Sequence, residues 1–175
     1  MTREQSLAAR FDEQHRLIAA MLAAASDGEA ERPTDASAWT AAQIGYHVGT
    51  VDIGFSKVLD GRVPGVVELP EGHHRPWAEI ARTAPRMEAP ENVRPPAHVS
   101  RTDALARLEF GRQRVMSALS ALSDDRGERY GWTHPLLGLL SLFELGEWLV
   151  SHTGGHRAQI GRVLAASATI ETAES

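Results

Sequence analysis

The chain of 175 residues contains no cysteine. Disulfides and thiolate metal sites are therefore excluded, and any transition metal must be held by nitrogen and oxygen ligands. Aromatic residues are scarce at 6% and form no basic, base-stacking stripe, and the 18 Lys+Arg are outweighed by 23 Asp+Glu. A formal charge of −5 opposes attraction to phosphate backbones, so no nucleic-acid partner is expected. No apolar run approaches the roughly 20 residues that cross a bilayer, so no membrane association is expected. The first residues, MTREQSLAARFDEQHRLIAAML, intersperse charges among apolar positions, unlike a secretory leader. These absences together predict a soluble, cytoplasmic protein with a single core.

What the chain does have is helical periodicity. Leu7, Phe11, Ile18, Met21, Leu22 and Ala25 recur at three- and four-residue spacings, the signature of one buried helix face. Ser26-Asp27-Gly28 ends that helix, and 33-PTDAS-37 continues the connection. Thr40 is placed to cap a second helix carrying Ile44, His47, Val48, Val51, Phe55 and Val58 on its apolar side. Seven of the nine prolines fall between Asp60 and Ser100, which excludes a long helix there and predicts a lid, a wrapping loop or an oligomer contact, with 77-WAEIARTA-84 as a short helical piece. A third helix, capped by Ser100 or Thr102, follows with Leu105, Leu108, Val115, Leu119 and Leu122, and 123-SDDRGERYG-131 breaks it. The fourth begins near Pro135 or Ser141 and buries Leu145, Leu149, His152, His156, Ile160 and Val163.

The expected architecture is all-α: a four-helix bundle over residues 1–166, with a long irregular crossover between helices two and three and a polar, frayed tail from 167 to 175. No alternating strand pattern is visible. The short connections allow antiparallel neighbours. The surplus apolar residues Leu137 to Leu140 suggest a homodimer contact.

Three histidines lie on inward stripes. His152 and His156 are four apart, so their side chains are neighbours on one helix face, and His47 occupies the inward face of another helix. Each could be an isolated core histidine bonded to a carbonyl or carboxylate. One metal ion would instead satisfy all three at once, since burying an unpaired imidazole costs on the order of 1–3 kcal/mol. The zinc-protease pattern fails, because Thr153, Gly154 and Gly155 stand where a glutamate is required. The only Glu-x-x-His spacing, Glu71 to His74, falls in the proline-rich segment, which argues against a di-iron bundle. Gly154 and Gly155 weaken the helix between the histidines and are expected to make room beside the site. His15 is a fourth candidate with a surface or interface position expected, and His73 and His74 are read as solvated loop residues. Glu144 and Glu147 are expected to cap or solubilise the fourth helix.

The segments 39-WTAAQIGYH-47 and 134-HPLLGLLSLFELGEWLVSHTGGHRAQIGRVL-164 resemble the DinB-like superfamily of four-helix bundles, whose C-terminal pattern is His-x-x-x-His followed by glutamine three residues later, here His152, His156 and Gln159. The resemblance covers roughly residues 1–60 and 100–166. It implies a divalent metal held by His47, His152 and His156; imidazole suits zinc, nickel, iron or copper. It also implies chemistry of the kind used by metal-dependent thiol transferases, isomerases and related hydrolases, in which a metal-bound thiol or water becomes a nucleophile toward an electrophilic small molecule. The cysteine-free chain requires that a sulfur nucleophile arrive as a cosubstrate. Gln159 is expected to orient a ligand or a histidine from behind. The competing reading is a non-catalytic dimeric binding or stress-response module whose metal is structural or absent.

Overall fold

The computed structural model describes residues 2–73, 75–83 and 88–174. In chain order the elements are α1 (Arg3–Ala24), α2 (Asp27–Glu31), α3 (Ala41–Leu59), β1 (Val67–Glu68), α4 (Trp77–Thr83), a 3-10 turn (Glu91–Val93), α5 (Arg101–Ser120), α6 (Asp124–Arg129), β2 (Tyr130–His134), β3 (Gly138–Ser141) and α7 (Leu142–Glu174). The long helices α1, α3, α5 and α7 form the bundle.

Helix starts follow the capping chemistry legible in the sequence. Thr40 Oγ1 accepts from Gln43 N while Gln43 Oε1 accepts from Thr40 N, a reciprocal capping box at the head of α3. Ser100 caps α5. Ser141 and Glu144 make the same reciprocal pair at the start of α7, with the Glu144 carboxylate accepting from Ser141 N at 2.7 Å. Glu147 is tied to Arg10 on α1 by two bonds of 2.7 and 2.9 Å. The two glutamates are thus a cap and an interhelix anchor.

Each of α1 and α3 packs against both α5 and α7, so going round the bundle the order is α1, α5, α3, α7. Directions follow from the levels at which residues meet. On α3 and α5, Gly45 lies against Ala104 and Gly49 against Arg107 and Leu108, so these two helices run parallel. On α1 and α7, Leu7 lies against Gly146, Gln14 against Gly154 and Met21 against Gly161, again parallel. The topology is up-down-down-up, and the consecutive long helices joined by the shorter connections sit across the bundle from one another rather than side by side. A parallel neighbour cannot be reached by a tight turn, and residues 60–100 supply the crossover.

The α3/α5 contact is the closest in the bundle. A Cβ on Gly49 would lie 2.4 Å from Arg107 O, and one on Gly111 would lie 2.7 Å from Gly49 O, so backbone meets backbone and neither helix can yield locally. We expect Gly49→Ala to destabilise the protein by about 2 kcal/mol, the overpacking penalty exceeding the helix-propensity gain of about 1 kcal/mol. Chemical denaturation checks this; equal or greater stability in the variant would contradict the close approach.

Two features depart from the sequence expectation. A small antiparallel sheet, ordered β1-β2-β3, caps one end of the bundle, with Val67 paired to Gly131 and Trp132 to Leu140. The β2–β3 turn runs through Pro135, Leu136 and Leu137 to Gly138, whose φ of +74° favours glycine. Leu140 is fully buried and Leu137 packs against the core, so most of the apolar surplus read as a dimer contact is used inside the chain. The last helix also continues beyond Ala166 to Glu174, with Ser167 buried, where the sequence suggests a frayed tail. Among the described residues no helix is long and apolar enough to cross a membrane.

Candidate metal centre

Antiparallel packing of α3 on α7 brings His47 opposite His152 and His156. The ring centroids lie 5.4 Å (His47 to His152), 4.9 Å (His47 to His156) and 4.5 Å (His152 to His156) apart. One nitrogen from each ring lies within 4.8 Å of one from each of the others. The Nε2 atoms of His152 and His156 are 3.2 Å apart. Two ligands about 2.0–2.1 Å from a tetrahedral ion are separated by about 3.3 Å, so this pair already has the spacing such an ion requires.

The outward-facing nitrogens are tied down for two of the three rings. His47 Nδ1 lies 2.7 Å from Val93 O, and a carbonyl can only accept, so the proton sits on Nδ1 and Nε2 carries a lone pair. Val93 belongs to the second half of the crossover, which is strapped to α3 by Gln43 Nε2 donating to Pro96 O at 2.9 Å and Ala97 O at 3.0 Å. The capping residue of α3 therefore also fixes the strap that orients His47. His156 Nδ1 lies 2.8 Å from Gln159 Oε1, and Gln159 Nε2 donates to Ser37 Oγ at 2.9 Å, which leaves His156 Nε2 as a second lone pair. Gln159 thus stands behind a histidine, as the sequence pattern suggests. His152 differs: its Nδ1 is buried and has no partner among the described residues.

The electrostatics favour neutral rings. Burial pushes His156 down to about 4, assisted by His47, and drives His152 well below the usual histidine range, assisted by the neighbouring imidazoles. His47 is lowered by burial, with the Val93 carbonyl and Asp52 acting in the opposite direction. Three neutral imidazoles with converging nitrogens and anchored far edges are a donor set that fits a divalent transition metal.

His134, on β2, is part of the surroundings that sequence reasoning assigned no role. It is buried, its Nδ1 accepts from Leu136 N at 3.2 Å and Leu137 N at 3.4 Å, and burial lowers it to about 4. Its ring lies 4.8 Å from Trp148, which in turn lies 4.7 Å from His152. The available signal was the hairpin itself, Tyr130 to Ser141 around a Pro-to-Gly turn, since only the hairpin carries His134 inward.

The other candidates fall away from the cluster. His15 is buried rather than at a surface, with Nε2 2.9 Å from Asp52 Oδ2, in a contact between α1 and α3 that lies apart from the cluster. His73 is half-buried against the hairpin, with Nε2 3.2 Å from Leu139 O, rather than solvated. His74 lies outside the described residues. The two glycines do not make room for anything: a Cβ on Gly155 would meet nothing within 4 Å, and one on Gly154 would touch Gln14 Oε1 at an ordinary 3.5 Å. Nothing around either position requires glycine.

No curated protein and no solved structure gives a significant match. The sequence model of the DinB superfamily matches residues 7–160, a span that includes the crossover as well as all three histidines. A match over most of the chain, on a four-helix bundle with the histidines gathered between α3 and α7, settles the family: the chain belongs to the DinB superfamily.

Proposed function

We propose that this protein is a metal-dependent enzyme in which His47, His152 and His156 hold one divalent ion, with a low-molecular-weight thiol and an electrophilic small molecule as substrates. The observation that carries the reading is the convergence of three imidazole nitrogens within 4.8 Å, with the far edges of His47 and His156 anchored by hydrogen bonds. When bound, such an ion lowers the pKa of a thiol or water in an open coordination position.

The chain's own groups supply position and environment. The Val93 carbonyl and the Gln159 amide hold two rings in the tautomer that offers Nε2 inward. Trp39 and Trp148 lie 4.9 Å from His47 and 4.7 Å from His152, placing apolar walls beside the centre that restrict water. With no cysteine in the chain, the sulfur nucleophile is a cosubstrate, and a reducing cytoplasm keeps such thiols available. The reaction class is attack of sulfur on an electrophilic carbon, with the thiol proton released and the leaving group departing with its bonding electrons.

Cobalt(II)-loaded protein tests this directly. Addition of glutathione, cysteine or N-acetylcysteine is expected to produce a sulfur-to-metal charge-transfer band, and a chlorodinitroarene is expected to be consumed in the presence of the responding thiol. Metal binding without either response would retire the thiol reading and favour a non-catalytic bundle with a structural ion. Light scattering on the same sample reads whether that bundle is a homodimer, for which the exposed Leu17, Val67 and Phe110 are the apolar support among the described residues.

A further inference from the structure

The three histidines are not held alike. His47 and His156 each have Nδ1 fixed by an acceptor, Val93 O and Gln159 Oε1, whereas His152 Nδ1 is buried with none among the described residues. Metal-binding histidines almost always donate their second N–H to a carbonyl, carboxylate or water, and that bond sets both tautomer and ring orientation. The torsion that turns an imidazole ring is broad, so a histidine without such a bond needs another restraint.

His152 has one. Trp148, one helical turn earlier on α7, stacks on it with centroids 4.7 Å apart and planes inclined by 26°. The indole is itself clamped: Phe55 of α3 lies 4.5 Å from it at 34°, and His134 lies 4.8 Å from it on the hairpin side. His134 cannot rotate freely, because the Leu136 and Leu137 amides both donate to its Nδ1. A chain of ring contacts therefore runs from the β2–β3 hairpin through His134 and Trp148 to His152.

We propose that Trp148 is the positioning residue for His152, fixing by stacking the plane of the one ring in the cluster that no hydrogen bond to Nδ1 holds, with Phe55 and His134 as its supports. The inference rests on the three-histidine reading above. It assigns the hairpin a role in the centre, and it makes His152 the ligand whose placement depends on aromatic packing.

The test compares metal-free wild type, Trp148→Leu and Trp148→Phe, each titrated with cobalt(II) alone and followed by visible absorption. Leucine retains apolar volume at a half-buried position, and circular dichroism confirms that each variant is folded. Trp148→Leu is expected to bind cobalt about 10–100-fold more weakly, the range for losing an outer-shell partner, with displaced d–d bands. Trp148→Phe is expected to stay within about threefold of wild type with its bands restored, a rescue that loss of general packing would not produce. Unchanged affinity and bands in Trp148→Leu would overturn the proposal while leaving the metal centre intact. Should wild type bind no cobalt, the three-histidine reading fails instead, and ring nitrogen NMR of metal-free protein decides the present point. The His152 ring signals are expected to broaden in the leucine variant and not in the phenylalanine variant; identical signals in the leucine variant overturn the proposal.

Discussion

Zinc at a thousandfold excess over its Kd is expected to stabilise the wild-type protein by about 4 kcal/mol, and His47→Ala is expected to abolish most of that gain. The first figure is mass action for one site that exists only in the folded chain. For a domain of this size it corresponds to a rise in Tm of about 8–16 °C. The unfolded chain has no comparable site, because His47 is separated from His152 and His156 by about a hundred residues and meets them only when α3 packs on α7. Removing His47 leaves two ligands on one helix, a pair that even an unfolded or partly helical chain can present, so little binding energy remains linked to folding. Thermal melts of both proteins with and without zinc measure the effect. Equal zinc-induced shifts in wild type and variant would show that His47 is no ligand.

The second large effect is on acid stability of the metal-free protein. His134 and His156 are lowered to about 4, and His47 and His152 are also lowered, in every case with burial as the leading cause. In the unfolded chain each titrates near 6.5. As pH falls below 6.5 the unfolded state takes up protons that the folded state refuses, so stability present above that pH is lost progressively until the folded-state values near 4 are reached. Each such group contributes up to about 1.4 kcal/mol per pH unit. With a discount for the part exposure of the site, we expect roughly 4 kcal/mol to be lost between pH 7 and pH 5.

Asp52 opposes this trend, since burial raises it while His15 pulls it down, and its folded form takes up a proton before the unfolded form does. Carboxylates held low, such as Glu109 beside Arg112, add their own loss only at more acid pH. The interval from pH 6.5 to 5 therefore reports mainly the histidines. Urea denaturation at pH 7, 6 and 5 gives the slope, and His134→Leu should flatten it by removing one contributor that is not itself one of the three clustered histidines. A pH-independent free energy over this interval would mean that the imidazoles are solvated and titrate normally. Zinc-saturated protein is expected to lose stability more steeply over the same pH range, because protons then compete with the ion for the same nitrogens.

What the sequence determined by itself is local in origin. Helical periods and capping residues are written within a few positions of one another, so the four long helices, a start at Thr40 and the absence of a long helix among the prolines were legible, while the structure chose Ser100 over Thr102 and Ser141 over Pro135 as the other two starts. The pairing of His152 with His156 is a one-turn spacing on one helix, and it too needed no tertiary information. His47 could be placed on an inward face, and the family pattern joined it to the other two. Gln159 was legible as a partner behind the cluster, because its distance from His156 is again one turn.

The tertiary structure decided everything that depends on which element meets which. The close packing of α3 on α5 depends on Gly49 and Gly111 facing each other across the interface, a contact between positions more than sixty residues apart. The short strands of the hairpin are half-covered by helices and by the crossover, so they bury residues on both sides and lack the alternation that reveals a longer sheet. That is why His134 was invisible as a neighbour of Trp148. The acceptor for His47 is a backbone carbonyl of Val93, and a carbonyl has no signature in sequence. The difference in how the three Nδ1 edges are treated is completed only when the bundle closes: Gln159 and Trp148 stand one turn from their histidines on α7, but Val93, which holds His47, and Ser37, Phe55 and His134, which hold Gln159 and Trp148 in place, come from distant segments.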